Sequence, residues 1–402
     1  MKKTKTTREH LERDSVQELA DYFKNMPAGK ALDVPDEMLL LEHFPEAAVT
    51  SYFKRFRFSE KAEIVFIKKA PEGMRRHYLN LHGLRPETQK FVIDNNLIEV
   101  AQDFLLMHQF EDIDYLMDNG SGIIIGSYFR EHTPRNEEQL LKLLNHPNKT
   151  LFKACVDKGY FISPQVQRLI IEERKLAAFN AIMFKFYRNL KKKARSMTWE
   201  QMQEKGVADV ALEETLQHVV FDVGDRMLIT TLLRTTPLAP SSQRLMFERN
   251  YDVQWFKLHV EQMYGMAGYR FEPEWEEKLF KLLAIHDLDE CLTSFRHRDD
   301  VNFVRLASSK TVAKYLKDFW LSDAAQVVLV SRGDVDLMKV FISRFSPEHG
   351  MCWQAEVKFA EIYSPEVIRL YIEFHSMCAQ ALEILGKRSP ETLEFYYTKH
   401  QY

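Results

Sequence analysis

Short apolar blocks alternate with polar ones along the whole chain, and many of the blocks open in the same way. Three segments are nearly alike: Leu84-Arg85-Pro86-Glu87-Thr88-Gln89-Lys90-Phe91, Phe161-Ile162-Ser163-Pro164-Gln165-Val166-Gln167-Arg168-Leu169 and Leu238-Ala239-Pro240-Ser241-Ser242-Gln243-Arg244-Leu245. They share an apolar residue, then x-Pro-x-x-Gln, then a basic and an apolar residue. Weaker copies stand at Phe271-Glu272-Pro273, Tyr363-Ser364-Pro365 and Ser389-Pro390-Glu391, and a copy without proline at Leu321-Ser322-Asp323 with Gln326. Each string predicts a helix start. Proline at the first helical position loses no hydrogen bond, because that amide has no partner within the helix. The residue before proline is driven out of the α region, which sharpens the boundary. On this reading Gln89, Gln167 and Gln243 serve packing or capping; the alternative is that they line a binding surface.

About ten residues after each start comes a polar break and then a second apolar stretch. Asp94-Asn95-Asn96, Glu248-Arg249-Asn250, Arg332-Gly333-Asp334 and Glu373-Phe374-His375 are such breaks. Two short amphipathic helices joined by a tight turn form a hairpin that cannot bury its apolar face alone, so hairpins must stack. Spacing is irregular, and a unit without the full string is expected near Thr133-Pro134-Arg135. Ser15-Val16-Gln17-Glu18 is a capping box opening an amphipathic first helix. Gly122-Ile123-Ile124-Ile125-Gly126, the best strand candidate, reads as buried helix. The chain therefore resembles, over roughly residues 36–400, an α-solenoid of the broad ankyrin-like and HEAT-like kind, although no named repeat motif matches. The fold class expected is all-α: an irregular α-solenoid, or superhelix, of short antiparallel helix pairs. Such a resemblance implies an extended concave surface that binds something large.

The pattern breaks once, from Lys175 to about His218. No acidic residue occurs between Glu173 and Glu200, and on a helix from about Lys175 to Ser196 the cations Lys185, Arg188, Lys192 and Arg195 share one stripe. Phe179, Ile182, Phe186 and Leu190 fall on the opposite side. The stripe is a candidate partner-binding surface; the plainer account is the solvated face of a long connecting helix. The division expected is an arm and capping helix over 1–35, a helical array over 36–190, a charged connector over 191–220 and a second array over 221–402. A second cluster, from Lys54 to His77, is interleaved with Glu60, Glu63 and Glu72 and reads as a salt-bridged surface.

Composition narrows the function. Of 402 residues, 45% are hydrophobic and 28% charged, enough for a large core. The 14 glycines and 14 prolines leave little turn chemistry for a many-stranded fold. A formal charge of −3 argues against a dedicated nucleic-acid or anionic-membrane binder. Four scattered cysteines form no disulfide framework and suit a reducing cytoplasm, and the first residues lack the apolar core of a signal peptide. No run is long enough to span a membrane.

Chemistry-bearing motifs are missing. There is no G-x-x-x-x-G-K-S/T, no G-x-S-x-G and no dinucleotide fingerprint. The densest set of potential ligands, His286, Asp287, Asp289, Cys291, His297, Asp299 and Asp300, lacks paired zinc spacing and reads as hairpin capping. Trp275, Tyr396 and Tyr397 are candidate exposed anchors. The expectation is a non-enzymatic cytoplasmic scaffold or adaptor that binds another protein through its concave face, with no catalytic residues, metal or cofactor. The alternative is a nucleic-acid binder, with base-processing activity in one version, that uses the stripe from Lys185 to Arg195.

Overall fold

The computed structural model describes residues 7–27, 29–206, 209–297, 299–345 and 350–400, and every regular element among them is helical. The chain divides into two compact units, Met1–Val166 and Gln167–Tyr402. The first holds α1 (Thr7–Arg13), α2 (Val16–Asn25), α3 (Val34–His43), α4 (Glu46–Phe53), α5 (Glu60–Lys69), α6 (Glu72–His82), α7 (Pro86–Asp94), α8 (Ile98–Leu105), α9 (Ile113–Asn119), α10 (Gly122–Glu131), α11 (Glu137–Asn145) and α12 (Thr150–Asp157). Odd-numbered helices pack in order in one layer and even-numbered helices in the other. That is a stack of antiparallel hairpins.

Helix α13 (Pro164–Glu172) lies at the division. The second unit continues with α14 (Leu176–Lys193), α15 (Trp199–Lys205), α16 (Glu214–Val223), α17 (Arg226–Thr235), α18 (Pro240–Glu248), α19 (Val253–Met263), α20 (Pro273–Ile285), α21 (Asp300–Leu306), α22 (Ser309–Tyr315), α23 (Asp323–Ser331), α24 (Val335–Ile342), α25 (Trp353–Ile362), α26 (Pro365–Ile372), α27 (Ala379–Arg388) and α28 (Pro390–His400). Two 3-10 turns, Met266–Gly268 and Asp289–Ser294, interrupt it. Here α21, α23, α25 and α27 form the first layer, and α14, α17, α19, the turn Asp289–Ser294, α22, α24, α26 and α28 follow one another in the second. Each unit is an irregular helical-repeat array.

Local sequence explains the boundaries. The proline strings open α7, α13, α18, α20, α26 and α28, and Ser322 opens α23 by accepting from the Ala325 amide at 3.3 Å. Ser15 and Glu18 form the reciprocal capping box of α2. The glycine-flanked isoleucine run lies inside α10. Near Thr133 the helix starts slightly later than the proline suggests, because Asn136 accepts from the Gln139 amide at 2.9 Å and caps α11. In the breaks, Asn96 (φ 49°) and Asn250 (φ 48°) take the left-handed conformation that reverses the chain.

Aromatic rings fill the space between hairpins. Phe66 lies 5.7 Å from Phe53, 5.2 Å from Phe58 and 5.0 Å from Tyr78, ring centre to ring centre. Of the chain's 28 phenylalanines, many are buried in such contacts. Small, fully buried residues stand third in α5, α7, α18, α23, α25 and α27, at Ala62, Thr88, Ser242, Ala325, Ala355 and Ala381, where packed helices leave little room.

Polar bonds then tie many of the hairpins to the next. The fourth residue of α3, α5, α7, α16, α18, α23 and α25 is an acid or amide that is almost wholly buried. It accepts a backbone N–H where a following helix is entered: Ser59 to Glu37 (2.9 Å), Arg85 to Glu63 (2.8 Å), Glu111 to Gln89 (2.8 Å), Ala239 to Gln217 (3.0 Å), Glu272 to Gln243 (2.9 Å), Cys352 to Gln326 (3.0 Å) and Cys378 to Glu356 (2.7 Å). The other atom of the head group is also used. Glu37, Glu63 and Glu356 accept from the hydroxyls of Tyr52, Tyr78 and Tyr371. Gln89, Gln217, Gln243 and Gln326 instead donate to the carbonyls of Leu84, Leu212, Leu238 and Leu321. Every partner therefore satisfies groups that would be costly to bury alone.

Candidate partner-binding surface

Most buried polar side chains are committed to holding the array together. Besides the acids and amides above, cations reach back to the carbonyl ends of preceding helices: Arg55 to Phe23 (2.8 Å), Arg249 to Phe221 (3.0 Å) and Arg332 to Ala307 (2.9 Å). His259 donates through Nδ1 to Leu233 O at 2.8 Å, and His297 through Nε2 to Leu292 O at 2.9 Å. Burial holds both imidazoles neutral, at pKa values of about 4 for His259 and about 3 for His297. Burial likewise pushes the thiols of Cys155 and Cys291 up, to about 11 and about 12. Thiolate chemistry is suppressed there.

The potential metal ligands are dispersed into the same work. Asp289 accepts from Ser308 N at 2.6 Å, Asp300 from Ser322 N at 2.6 Å, and Asp299 caps α21 through Asn302 N at 3.0 Å. Among the described residues no group of three or more His, Cys, Asp or Glu is placed to hold a metal ion. The arginines of the cationic cluster near Lys54 are similarly absorbed. Arg57 lies 3.5 Å from Glu63, and Arg75 and Arg76 lie 3.4 and 2.8 Å from Asp103. A cavity of about 350 Å³ opens between Trp199, Gln243, Tyr269 and Asn302, and its wall includes the structural bond from Gln243 to Glu272.

Helix α14 is different. It runs for 18 residues where its neighbours in the layer, α17 and α19, have 10 and 11. Phe179, Ile182, Phe186 and Leu190 are buried, as the periodicity predicts. Arg188, Lys192 and Arg195 are exposed, whereas Lys185 is half-buried at the edge of the face; both Lys185 and Arg188 interact with other groups of the protein. The centre of the exposed face is offset from the expected stripe and passes through Phe184, Arg188, Lys191 and Arg195. Lys191 stacks over the Tyr187 ring at 4.4 Å, and Lys193 pairs with Asp209 at 2.8 Å. Phe184 is 52% exposed. Its spacing of four, three and four residues through 188, 191 and 195 was readable in the sequence. What the sequence lacked was the side covered by the next helix.

That next helix is α17, joined to α14 by a 2.8 Å hydrogen bond from Thr231 Oγ1 to Asn180 Oδ1. Its exposed residues are Arg226, Met227 and Arg234, and neither helix contains an acid. Of the other suspected anchors, Trp275 is half-buried and stacks on Phe247 at 5.4 Å, Tyr396 packs against His400 and Tyr397 is exposed. No helix among the described residues is long and apolar enough to cross a membrane. No known protein family, curated protein or solved structure matches the chain.

Proposed function

We propose that the chain is a non-catalytic helical-repeat scaffold or adaptor that binds another protein through the solvent face of its hairpins. The observation that carries this reading is the division of labour among polar groups. Buried acids, amides and histidines serve the joints between hairpins, while a broad cationic face with large apolar side chains is turned to water. Arg188, Lys192 and Arg195 are the proposed contacts, with Phe184 and Lys191 taking the place of the half-buried Lys185. Four unpaired cysteines fit placement in the reducing cytoplasm.

The test is chemical cross-linking in native cells followed by purification of the full chain and mapping of the linked peptides. A discrete protein recovered in fixed ratio and linked to the helical faces is expected. Recovery of nucleic acid in place of protein overturns the proposal. The second reading, nucleic-acid binding by the stripe, is favoured by one observation: α14 and α17 together carry only cations among their charged residues. Titration with DNA and RNA at two salt concentrations tests it, since phosphate contacts weaken steeply with salt.

A further inference from the structure

Two successive hairpins of the first unit use the same turn with one change. Phe44-Pro45-Glu46 leads into α4, and Ala70-Pro71-Glu72 leads into α6 26 residues later. Ala70 therefore stands where the preceding hairpin carries a phenylalanine, and the missing ring leaves room. A groove of about 240 Å³ opens there, with Leu41, Phe44, Val65, Ala70 and Met74 as half-buried walls. The charged residues among those that line it are Glu46 and Lys69, both exposed. Charges beside them are engaged elsewhere: Glu72 pairs with Arg76 at 2.7 Å, and Lys68 lies over the Phe91 ring at 4.5 Å. No ion pair among the described residues uses Glu46 or Lys69. Single apolar residues scattered over a surface need no explanation, but these five share one recess. The recess is smaller than the roughly 300–1,000 Å³ of sites that enclose a small molecule, and suits one large side chain.

We infer that this groove seats a phenylalanine side chain of a partner protein, presented on a segment that carries an acid for Lys69 and a base for Glu46. The inference rests on the protein-binding reading above and gives it an anchor point in the first unit. The incoming ring packs on Phe44 and on the Met74 thioether, both favourable partners for an aromatic edge or face. Burial of the ring supplies most of the affinity, and the two exposed ion pairs orient the segment while adding little. A nucleic-acid backbone would meet Lys69 but be repelled by Glu46, and it would leave the apolar walls wet.

The experiment uses the full chain with isotope-labelled methionine methyl groups, the Met74 signal being assigned by Met74→Leu. The probe is a blocked peptide with one phenylalanine between a lysine and a glutamate, made in both orders. The same peptide with serine for phenylalanine, and free phenylalanine, are the comparisons. A saturable shift of the Met74 signal is expected with the phenylalanine peptide, and binding about tenfold weaker with the serine peptide. Ala70→Phe, which fills the groove, should abolish the response, and Lys69→Gln should weaken binding about threefold. Lys69 is exposed, so the second variant keeps the test open if Ala70→Phe disturbs packing, and an unchanged thermal transition shows that the fold is kept. Equal binding of the two peptides, tighter binding of free phenylalanine than of the peptide, or a response that survives Ala70→Phe overturns the inference. So does a dimer of the chain alone that Ala70→Phe dissolves, because the groove would then hold a second copy. A cross-linked partner whose links avoid α3 to α6 overturns the inference alone, whereas recovery of no protein overturns the scaffold reading and this inference with it.

Discussion

From α3 to α8 the joints are regular: Glu37, Glu63 and Gln89 recur every 26 residues, and each bond to the next hairpin spans 22. Between α18 and α20 the same bond, from Glu272 N to Gln243, spans 29. The extra chain forms the turn Met266–Gly268, with Gly265, Ala267 and Gly268 all at positive φ. The tyrosine moves with it. In the regular hairpins Tyr52 and Tyr78 stand 15 residues after the acid they serve. In the stretched one Tyr269 comes from the inserted turn, accepts from Leu238 N at 2.9 Å and meets His259 at 3.1 Å. Spacing has changed and the set of satisfied groups has not. Such an array keeps its polar joints because an orphaned buried amide is costlier than a longer loop.

The sharpest way to break the comparison is Glu63→Ala, which strands both the Arg85 amide and the Tyr78 hydroxyl. A loss of about 4 kcal/mol is expected at that joint, read as faster exchange of the Arg85 amide and an earlier urea transition. Glu63→Gln, which keeps an acceptor for Arg85, should recover most of it.

Acid comes next. His259 and His297 have folded pKa values below their ordinary one, so the unfolded chain takes up these protons first. Their contribution is present above about pH 6.5 and is lost as pH falls towards about 4 and about 3. Each removes about 1.4 kcal/mol per pH unit across its window, or about 3 kcal/mol from pH 6.5 to 4.5. Glu356, raised by burial, works in the opposite sense: its contribution is present below the unfolded carboxylate range and is lost as pH rises through its folded pKa. In urea titrations at stepped pH, His297→Gln should flatten the acid slope by one proton; an unchanged slope would refute the assignment.

In the stretched joint, Gln243→Ala removes one acceptor and one donor while Tyr269 still reaches Leu238. About 2 kcal/mol is expected, less than for Glu63→Ala, by the same urea measurement. Equal losses at the two sites would show that the tyrosine in the inserted turn offers no support. The smallest effect has the opposite sign. Ser242 is fully buried and its hydroxyl has no partner, so Ser242→Ala should stabilise the chain by about 1 kcal/mol in calorimetry.

Gln89 and Gln243 were visible as a repeated letter, but their service to an amide in the next hairpin was not. Glu37, Glu63 and Glu356 do the same work outside the proline string, because a carboxylate and an amide oxygen are interchangeable as acceptors for N–H. At the matching place in α27 stands Leu382, half-buried, at the last hairpin described. The candidate surface was partly legible. Arg188, Lys192 and Arg195 are exposed as the periodicity suggested, whereas Lys185 turns towards the protein and Phe184 takes the face. Helical period fixes relative angles along α14, and only the position of α17 decides which of those angles meets water.

By itself the sequence determined the all-α class, the helix starts and the apolar faces, since prolines, capping side chains and a 3.6-residue period act within a few residues of themselves. Only the tertiary structure decided which buried acid or amide meets which amide and which side of α14 is covered by α17. Those pairings join residues 22 or more apart in sequence or lie on different helices. They are set by how hairpins stack, and nothing in local backbone preference encodes them.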